Sequence, residues 1–151
     1  MRSRRRTRRG PSGVPRAVLD TNVLVSALIT PAGASAQLLV ELRAGAFELV
    51  VSPRLLDELR DVLGRPKLRR HVSEADADAY VELIRRASLV VDDHAPSGEP
   101  LAADPDDEYL VDLARHARVE ALVSSDAHLL ELRPTVPART PREFLESLAE
   151  P

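Results

Sequence analysis

Short apolar runs alternate with helical patterns along the chain from Arg16 onward. Four runs predict β-strands, at about residues 17–24, 47–51, 88–91 and 121–124. Apolar residues at helical spacing predict helices over about 34–45, 53–63, 73–86, 105–118, 127–132 and 140–148. This alternation predicts an α/β fold with a central, mostly parallel β-sheet of four to five strands flanked by helices.

Several predicted helices have a recognisable start. Ser52-Pro53 and Asp104-Pro105 each combine an N-cap residue with a proline at the first helical position. Thr140 has a glutamate three residues later, which is the spacing of a capping box. Gly64 and Pro66 predict the end of the helix that Ser52 begins.

Charge divides the chain into two parts. Seven of its 21 basic residues are arginines within residues 1–16, and this segment contains no acid. The rest of the chain has 14 basic and 24 acidic residues, so its net charge is about −10. We therefore expect a disordered arginine-rich tail over residues 1–15 and one folded domain over residues 16–148. The tail is either a phosphate-binding arm or a segment without function.

Composition excludes several classes of protein. The chain has no cysteine, so it has neither disulfides nor a thiol nucleophile. No apolar run approaches the roughly 20 residues that span a bilayer, and the N-terminal segment has no apolar stretch typical of a secretory signal. We expect a cytoplasmic protein with no membrane association.

Acidic residues occur where carboxylates are costly to bury. Asp20 and Asp126 each end a predicted strand. Glu58 borders the apolar stripe of its helix, at a rotation of about 100° per residue. Asp106 and Asp107 both fall on the buried side of the helix that follows Asp104, and the helical pattern does not choose between them. Each acid alone is also explained as a cap, turn or boundary residue.

Their joint placement indicates a metal site. Ligands of open parallel sheets bind beyond the carboxyl ends of the strands, where Asp20 and residues 124–126 would meet if the first and fourth strands are neighbours. Four acids from four segments then converge: Asp20, Glu58, Asp126 and one of the pair 106 and 107. Carboxylate oxygens suit Mg²⁺ or Mn²⁺. Such an ion binds a phosphodiester and activates water, which predicts nucleic-acid hydrolysis.

Five segments of this chain, in order over about residues 16–148, resemble the PIN-domain ribonuclease family, in the toxin branch related to VapC. They are residues 18–26, residues 33–39, Ser52-Pro53 with Glu58, residues 104–107 and residues 122–126. The resemblance implies a PIN-like fold, Mg²⁺-dependent endoribonuclease activity on RNA, a homodimer and inhibition by a cognate antitoxin protein. It also implies Asp107 rather than Asp106 as the third acid.

The expected roles follow from this set. Asp20, Asp107 and Asp126 are the expected metal ligands, with Asp126 alternatively positioning water, and Glu58 is a further ligand or a base. The other expected contributors support these acids: Asn22 and Ser124 orient carboxylates or phosphate, and Asp104 begins the helix that carries Asp107.

Other hydrolase and phosphotransfer classes lack their own residues here. A haloacid-dehalogenase-like phosphatase needs an aspartate where Asn22 stands, and a receiver domain needs a strand-end lysine, whereas Lys67 is the only lysine. Glycine-rich phosphate loops are absent, and the four histidines have no zinc-ligand spacing. The remaining alternative is a non-catalytic PIN-like module that binds RNA or a protein.

Overall fold

A five-stranded parallel sheet forms the centre of the molecule in this computed structural model, which describes residues 13–95 and 98–150. The strand order is β3-β2-β1-β4-β5. Every pairing is parallel, as the prediction of a mostly parallel sheet required. The strands are β1 Arg16–Leu19, β2 Glu48–Val51, β3 Ser88–Val90, β4 Ala121–Val123 and β5 Ala138–Arg139.

Eight α-helices of the described residues connect and flank the strands. They are α1 Thr21–Ile29, α2 Ala34–Arg43, α3 Pro53–Leu63, α4 Pro66–Arg69, α5 Glu74–Ala87, α6 Glu108–Ala117, α7 Ala127–Leu130 and α8 Pro141–Ala149. A 3-10 turn, Pro105–Asp107, precedes α6. The predicted capping box of Thr140 and Glu143 is present at α8, and the hydroxyl of Ser52 caps α3.

The direction of chain progression through the sheet reverses between β1 and β4. These strands are direct neighbours, with Val18 opposite Leu122 and Leu19 opposite Val123. All four residues are fully buried, as expected for parallel strands covered on both faces. The carboxyl ends of β1 and β4 therefore lie side by side, where an open sheet binds its ligands.

Helix packing fixes the position of α3 and α6 relative to this edge. α3 packs against α1 and α5, while α6 packs against β1 and β4. The buried Tyr80 of α5 donates a hydrogen bond to the backbone oxygen of Leu24 in α1, 2.7 Å away. Phe47 and Phe144 meet edge to face, with ring centroids 5.1 Å apart, and join the start of β2 to α8.

The predicted first strand, residues 17–24, is wrong beyond Leu19. The chain leaves the sheet at Asp20, whose carboxylate accepts hydrogen bonds from the N–H groups of Asn22 and Val23 and so caps α1. The apolar residues 23–25 are the buried side of that helix. A short apolar run fits a buried strand and a buried helix equally well, so the pattern alone could not separate them.

Two short elements were not predicted. β5 has two residues, too few for a periodic pattern. α4 begins at Pro66, which was expected only to end a helix; the preceding helix does end at Leu63 with Gly64 after it. Proline suits the first turn of a helix as well as a break, because its missing N–H has no partner in either place.

Residues 1–12 of the predicted arginine-rich tail lie outside the described residues. Within the described ranges, no single helix is long and apolar enough to cross a membrane; only α1 and α2 together reach that length and composition, and they are bent by 93°.

Candidate functional site

Asp20 lies at the carboxyl end of β1 and is only 6% exposed. Its Oδ1 accepts the N–H groups of Asn22 and Val23, at 2.8 and 3.2 Å. Its Oδ2 accepts the hydroxyl of Ser124, at 2.5 Å. Burial raises the pKa of Asp20 and the charge of Asp126 adds to the rise, whereas these hydrogen bonds oppose it. The side chain is thus fixed in place but has no cationic partner among these contacts.

Ser124 and Asp126 extend the same network from the end of β4. Ser124 is fully buried, and its Oγ both donates to Asp20 and accepts the N–H of Asp126, at 2.9 Å. Asp126 is partly exposed and caps α7 by accepting the N–H of His128 at 2.8 Å. One oxygen of Asp126 is therefore used structurally, and its charge acts on both Asp20 and Asp107.

Asp107 is affected by the negative charges of several neighbouring acids. Burial raises its pKa to about 6, and the charges of four other acids contribute: Asp104, Asp126, Asp20 and Glu58. Asp104, itself exposed, caps the 3-10 turn by accepting the N–H of Asp106. The structure thus brings the four predicted acids close enough to repel one another at one end of the sheet.

Glu58 is held by a residue that the sequence did not reveal. The phenol of Tyr109, in α6, donates a hydrogen bond to Oε1 of Glu58, in α3. Burial and this contact with Glu58 raise the pKa of Tyr109, so the phenol stays protonated and remains a donor. The two residues are 51 positions apart, and a tyrosine on the buried side of a helix gives no sequence signal of this role.

Arg54, near the start of α3, lies against Tyr109. Its guanidinium carbon is 4.4 Å from the centroid of the Tyr109 ring. The backbone N–H of Arg54 donates to the carboxylate of Asp93, at 2.9 Å. This cation partly opposes the rise in the pKa of Tyr109, which burial and Glu58 cause.

Asn22 joins the network through its backbone N–H, which donates to the carboxylate of Asp20, and the residue is exposed to solvent. Across residues 13–95 and 98–150, no three Asp, Glu or His side chains are arranged so that they could hold one metal ion directly. The acids therefore share an electrostatic field without forming a complete ligand cage. Such an arrangement of negative charge attracts cations.

Comparison with known proteins finds a related sequence and several similar solved structures. The uncharacterized protein MJ1680 of Methanocaldococcus jannaschii is 26% identical over 139 residues, covering 85% of this chain and 88% of that protein. The crystal structure of PAE2754 from Pyrobaculum aerophilum is similar with a TM-score of 0.65 and 17% identity, over 93% of this chain and 98% of that one.

The second similar structure is VapBC2 from Rickettsia felis bound to a DNA fragment from their promoter, with a TM-score of 0.61 and 18% identity. It covers 83% of this chain and 98% of that one. At these identities the two structures show a shared fold. A model of the PIN domain family matches residues 16–128, more than half of the sequence, and the chain therefore belongs to the PIN domain family.

Proposed function

We propose that this protein is a Mg²⁺- or Mn²⁺-dependent endoribonuclease that hydrolyses RNA phosphodiester bonds. PIN domains are typically metal-dependent nucleases. The observation that carries the proposal for this chain is a group of buried or half-buried carboxylates, those of Asp20, Asp107 and Asp126, at one end of the sheet. Burial raises the pKa of both Asp20 and Asp107, and repulsion by neighbouring carboxylates contributes to both rises. A divalent cation relieves that repulsion, and the donor set consists of oxygen ligands that Mg²⁺ and Mn²⁺ prefer.

Asp20, Asp107 and Asp126 are the residues that would hold the ion. Mg²⁺ commonly takes one or two carboxylates and completes its coordination with water and phosphate oxygens. An incomplete protein cage therefore fits this metal. When bound, the ion supplies an activated water and stabilises the charge on the leaving oxygen.

The protein's own side chains position these groups. Ser124 and the N–H groups of residues 22 and 23 hold the Asp20 carboxylate in one orientation, so little reorganisation is needed on binding. Glu58, fixed through Oε1 by Tyr109, keeps Oε2 available to accept a proton from the attacking water. In this proposal Asn22 and Ser124 orient the phosphate or the carboxylates. Asp104, which accepts the N–H of Asp106, supports the turn that carries Asp107.

We further propose that the nuclease is the toxin of a type II toxin-antitoxin pair, that it forms a homodimer in the cytoplasm and that a cognate antitoxin inhibits it. The resemblance to VapC toxins and the fold shared with a VapBC toxin-antitoxin complex support this role.

The alternative is a non-catalytic PIN-like module that binds RNA or a protein. The observation in its favour is that the described acids do not form a three-ligand group. The two candidates differ in turnover, so a cleavage assay separates them.

We expect the purified protein to cleave RNA in the presence of Mg²⁺ or Mn²⁺ and to be inactive in EDTA. Asp20→Asn, which keeps the cap of α1 but removes one charge, should lower the cleavage rate by about 100-fold, the upper end of the loss that is typical when a partner of a metal ligand is removed. Equal cleavage by Asp20→Asn and wild type would assign the activity to a contaminant. RNA binding without cleavage would favour the non-catalytic module.

The raised pKa of Asp107 predicts how stability depends on pH without a cation. Because the folded state binds this proton more tightly than the unfolded chain, the contribution of Asp107 to stability is present below about pH 4 and is lost as the pH rises through about 6. In EDTA, Asp107→Asn should therefore gain on wild type over this range by a few °C in Tm, on the order of 1 kcal/mol after allowing for solvent screening.

Asp106→Asn, at an exposed position of the same turn, is the matched control and should follow wild type. At pH 7, millimolar Mn²⁺ should raise the Tm of wild type more than that of Asp107→Asn. The same pH dependence in wild type and Asp107→Asn would show that neither burial nor the neighbouring charges raise the pKa of this carboxylate.

Tyr109→Phe removes the hydrogen bond to Glu58 but keeps the ring on which Arg54 lies. We expect kcat to fall by about 10-fold or more, as is typical when a supporting partner is lost, with little change in KM for RNA. Steady-state kinetics with Tyr80→Phe as the control separates this effect from the loss of another buried phenol, whose partner is a backbone oxygen of α1. Unchanged kcat would mean that Glu58 does not need Tyr109.

Expression of the wild-type gene in a bacterial host should arrest growth, and Asp20→Asn should not. Co-expression of the cognate antitoxin, sought in the adjoining reading frame, should restore growth and yield a complex on size-exclusion chromatography. Normal growth of the host, together with full RNA cleavage in vitro, would support the nuclease activity and contradict the toxin role.

A further inference from the structure

The chain has few aromatic rings with which to bind a nucleobase. Single-stranded RNA is commonly held by stacking its bases on aromatic rings or on arginine. The chain has two Phe, two Tyr and no Trp, and these four rings are buried: Phe47, Tyr80, Tyr109 and Phe144. The exposed flat rings are therefore the histidines, His71, His94, His116 and His128.

Two of these histidines already form a stacked pair. His94, in the segment after β3, lies on His116 of α6, with ring centroids 4.2 Å apart and planes inclined by 22°. Both residues are exposed. A third flat ring can therefore stack on this pair without displacing core side chains.

The histidine pair is connected to the acidic site through Tyr109. His94, His116, Tyr109 and Arg54 line one small cavity, and the phenol of Tyr109 is the group that holds Glu58. Tyr109 and His116 are seven residues apart in α6, which is about 10 Å along the helix axis. The cavity has about 60 Å³, space for roughly two waters, so a base would lie across its mouth rather than inside it.

The charges around the cavity determine which part of an RNA strand faces it. Asp92 and Asp93 line it and are exposed, and they repel phosphate groups. The Arg54 guanidinium, stacked on Tyr109, attracts them. A strand that runs from the acidic site past Arg54 therefore presents a base edge, not its backbone, to the two aspartates.

Carboxylates accept hydrogen bonds and donate none. Guanine presents two adjacent N–H donors on its Watson–Crick edge, which one carboxylate can accept together, whereas uracil presents one donor between two carbonyl oxygens. The carboxylates of Asp92 and Asp93 therefore favour guanine over uracil as the bound base.

We propose that His94 and His116, with Arg54 and the carboxylates of Asp92 and Asp93, form a subsite for an unpaired nucleobase of the RNA, with guanine preferred. The inference rests on the proposed RNA substrate. The base stacks on the histidine pair, Arg54 binds the adjoining phosphate, and an aspartate accepts the donors of the base.

Binding of fluorescently labelled uridine decamers with one central guanosine, adenosine or cytidine tests the subsite. Fluorescence anisotropy in the Asp20→Asn background measures affinity without cleavage. His94→Ala and His116→Ala should each weaken binding of the guanosine decamer about 5-fold or more, the range expected for one stacked base. His94→Phe should retain most of the affinity because it keeps a flat ring, and His71→Ala, at an exposed position between α4 and α5, should match the background.

The preference for the guanosine decamer over the adenosine and cytidine decamers should shrink in Asp92→Asn, because an amide also donates. Asp92 is the residue to change, since Oδ2 of Asp93 already accepts the backbone N–H of Arg54. Unchanged affinity in both His94→Ala and His116→Ala would overturn the subsite, and equal affinity for all decamers would overturn the guanine preference. Cleavage of the same RNAs by the wild-type protein in Mn²⁺ tests the nuclease proposal separately. Cleavage together with unchanged binding in the histidine variants would support the nuclease and contradict the subsite. Binding that depends on the histidines, without any cleavage, would support the subsite and contradict the nuclease.

Discussion

The buried carboxylate of Asp20 is the constraint on which this structure depends. A charged group that is 6% exposed must have its oxygens satisfied, and here three donors satisfy them. Two of these donors are the N–H groups that begin α1, and the third is the hydroxyl of Ser124, 104 residues away at the end of β4. One side chain thus ends a strand, begins a helix and joins the two central strands of the sheet.

These contacts satisfy the acceptor oxygens of Asp20 but do not compensate its negative charge. Asp107 and Asp126 add further negative charge at the same edge. Burial raises the pKa of Asp107 to about 6, and the charges of Asp126 and the other neighbouring acids contribute to this rise. Membership of the PIN domain family gives this repulsion a reason, because these proteins typically use a divalent cation. The same charge that favours a cation repels nucleic acid at long range. Arg54 places a positive charge on the ring of Tyr109, whose phenol donates to Glu58.

Local signals in the sequence correctly predicted several elements. The caps at Ser52 and Thr140, the helix end before Gly64 and the buried strands β2 and β4 follow from contacts within a few residues. The alternation of strands and helices was enough for the fold class, because parallel strands need helical crossovers. The predicted end of β1 was wrong because the apolar residues 23–25 fit a buried strand and a buried helix equally well. β5 was not predicted because it is too short to show a periodic pattern.

The sequence by itself determined which residue types were available: acids at strand ends and helix starts, and oxygen donors without cysteine. Only the tertiary structure decided that β1 and β4 are neighbours, that Tyr109 holds Glu58 and that His94 lies on His116. The physical reason is that helix caps and apolar periods depend on nearest neighbours along the chain. Contacts between α3, α6 and the segment after β3 depend on how whole elements pack, which no local pattern specifies.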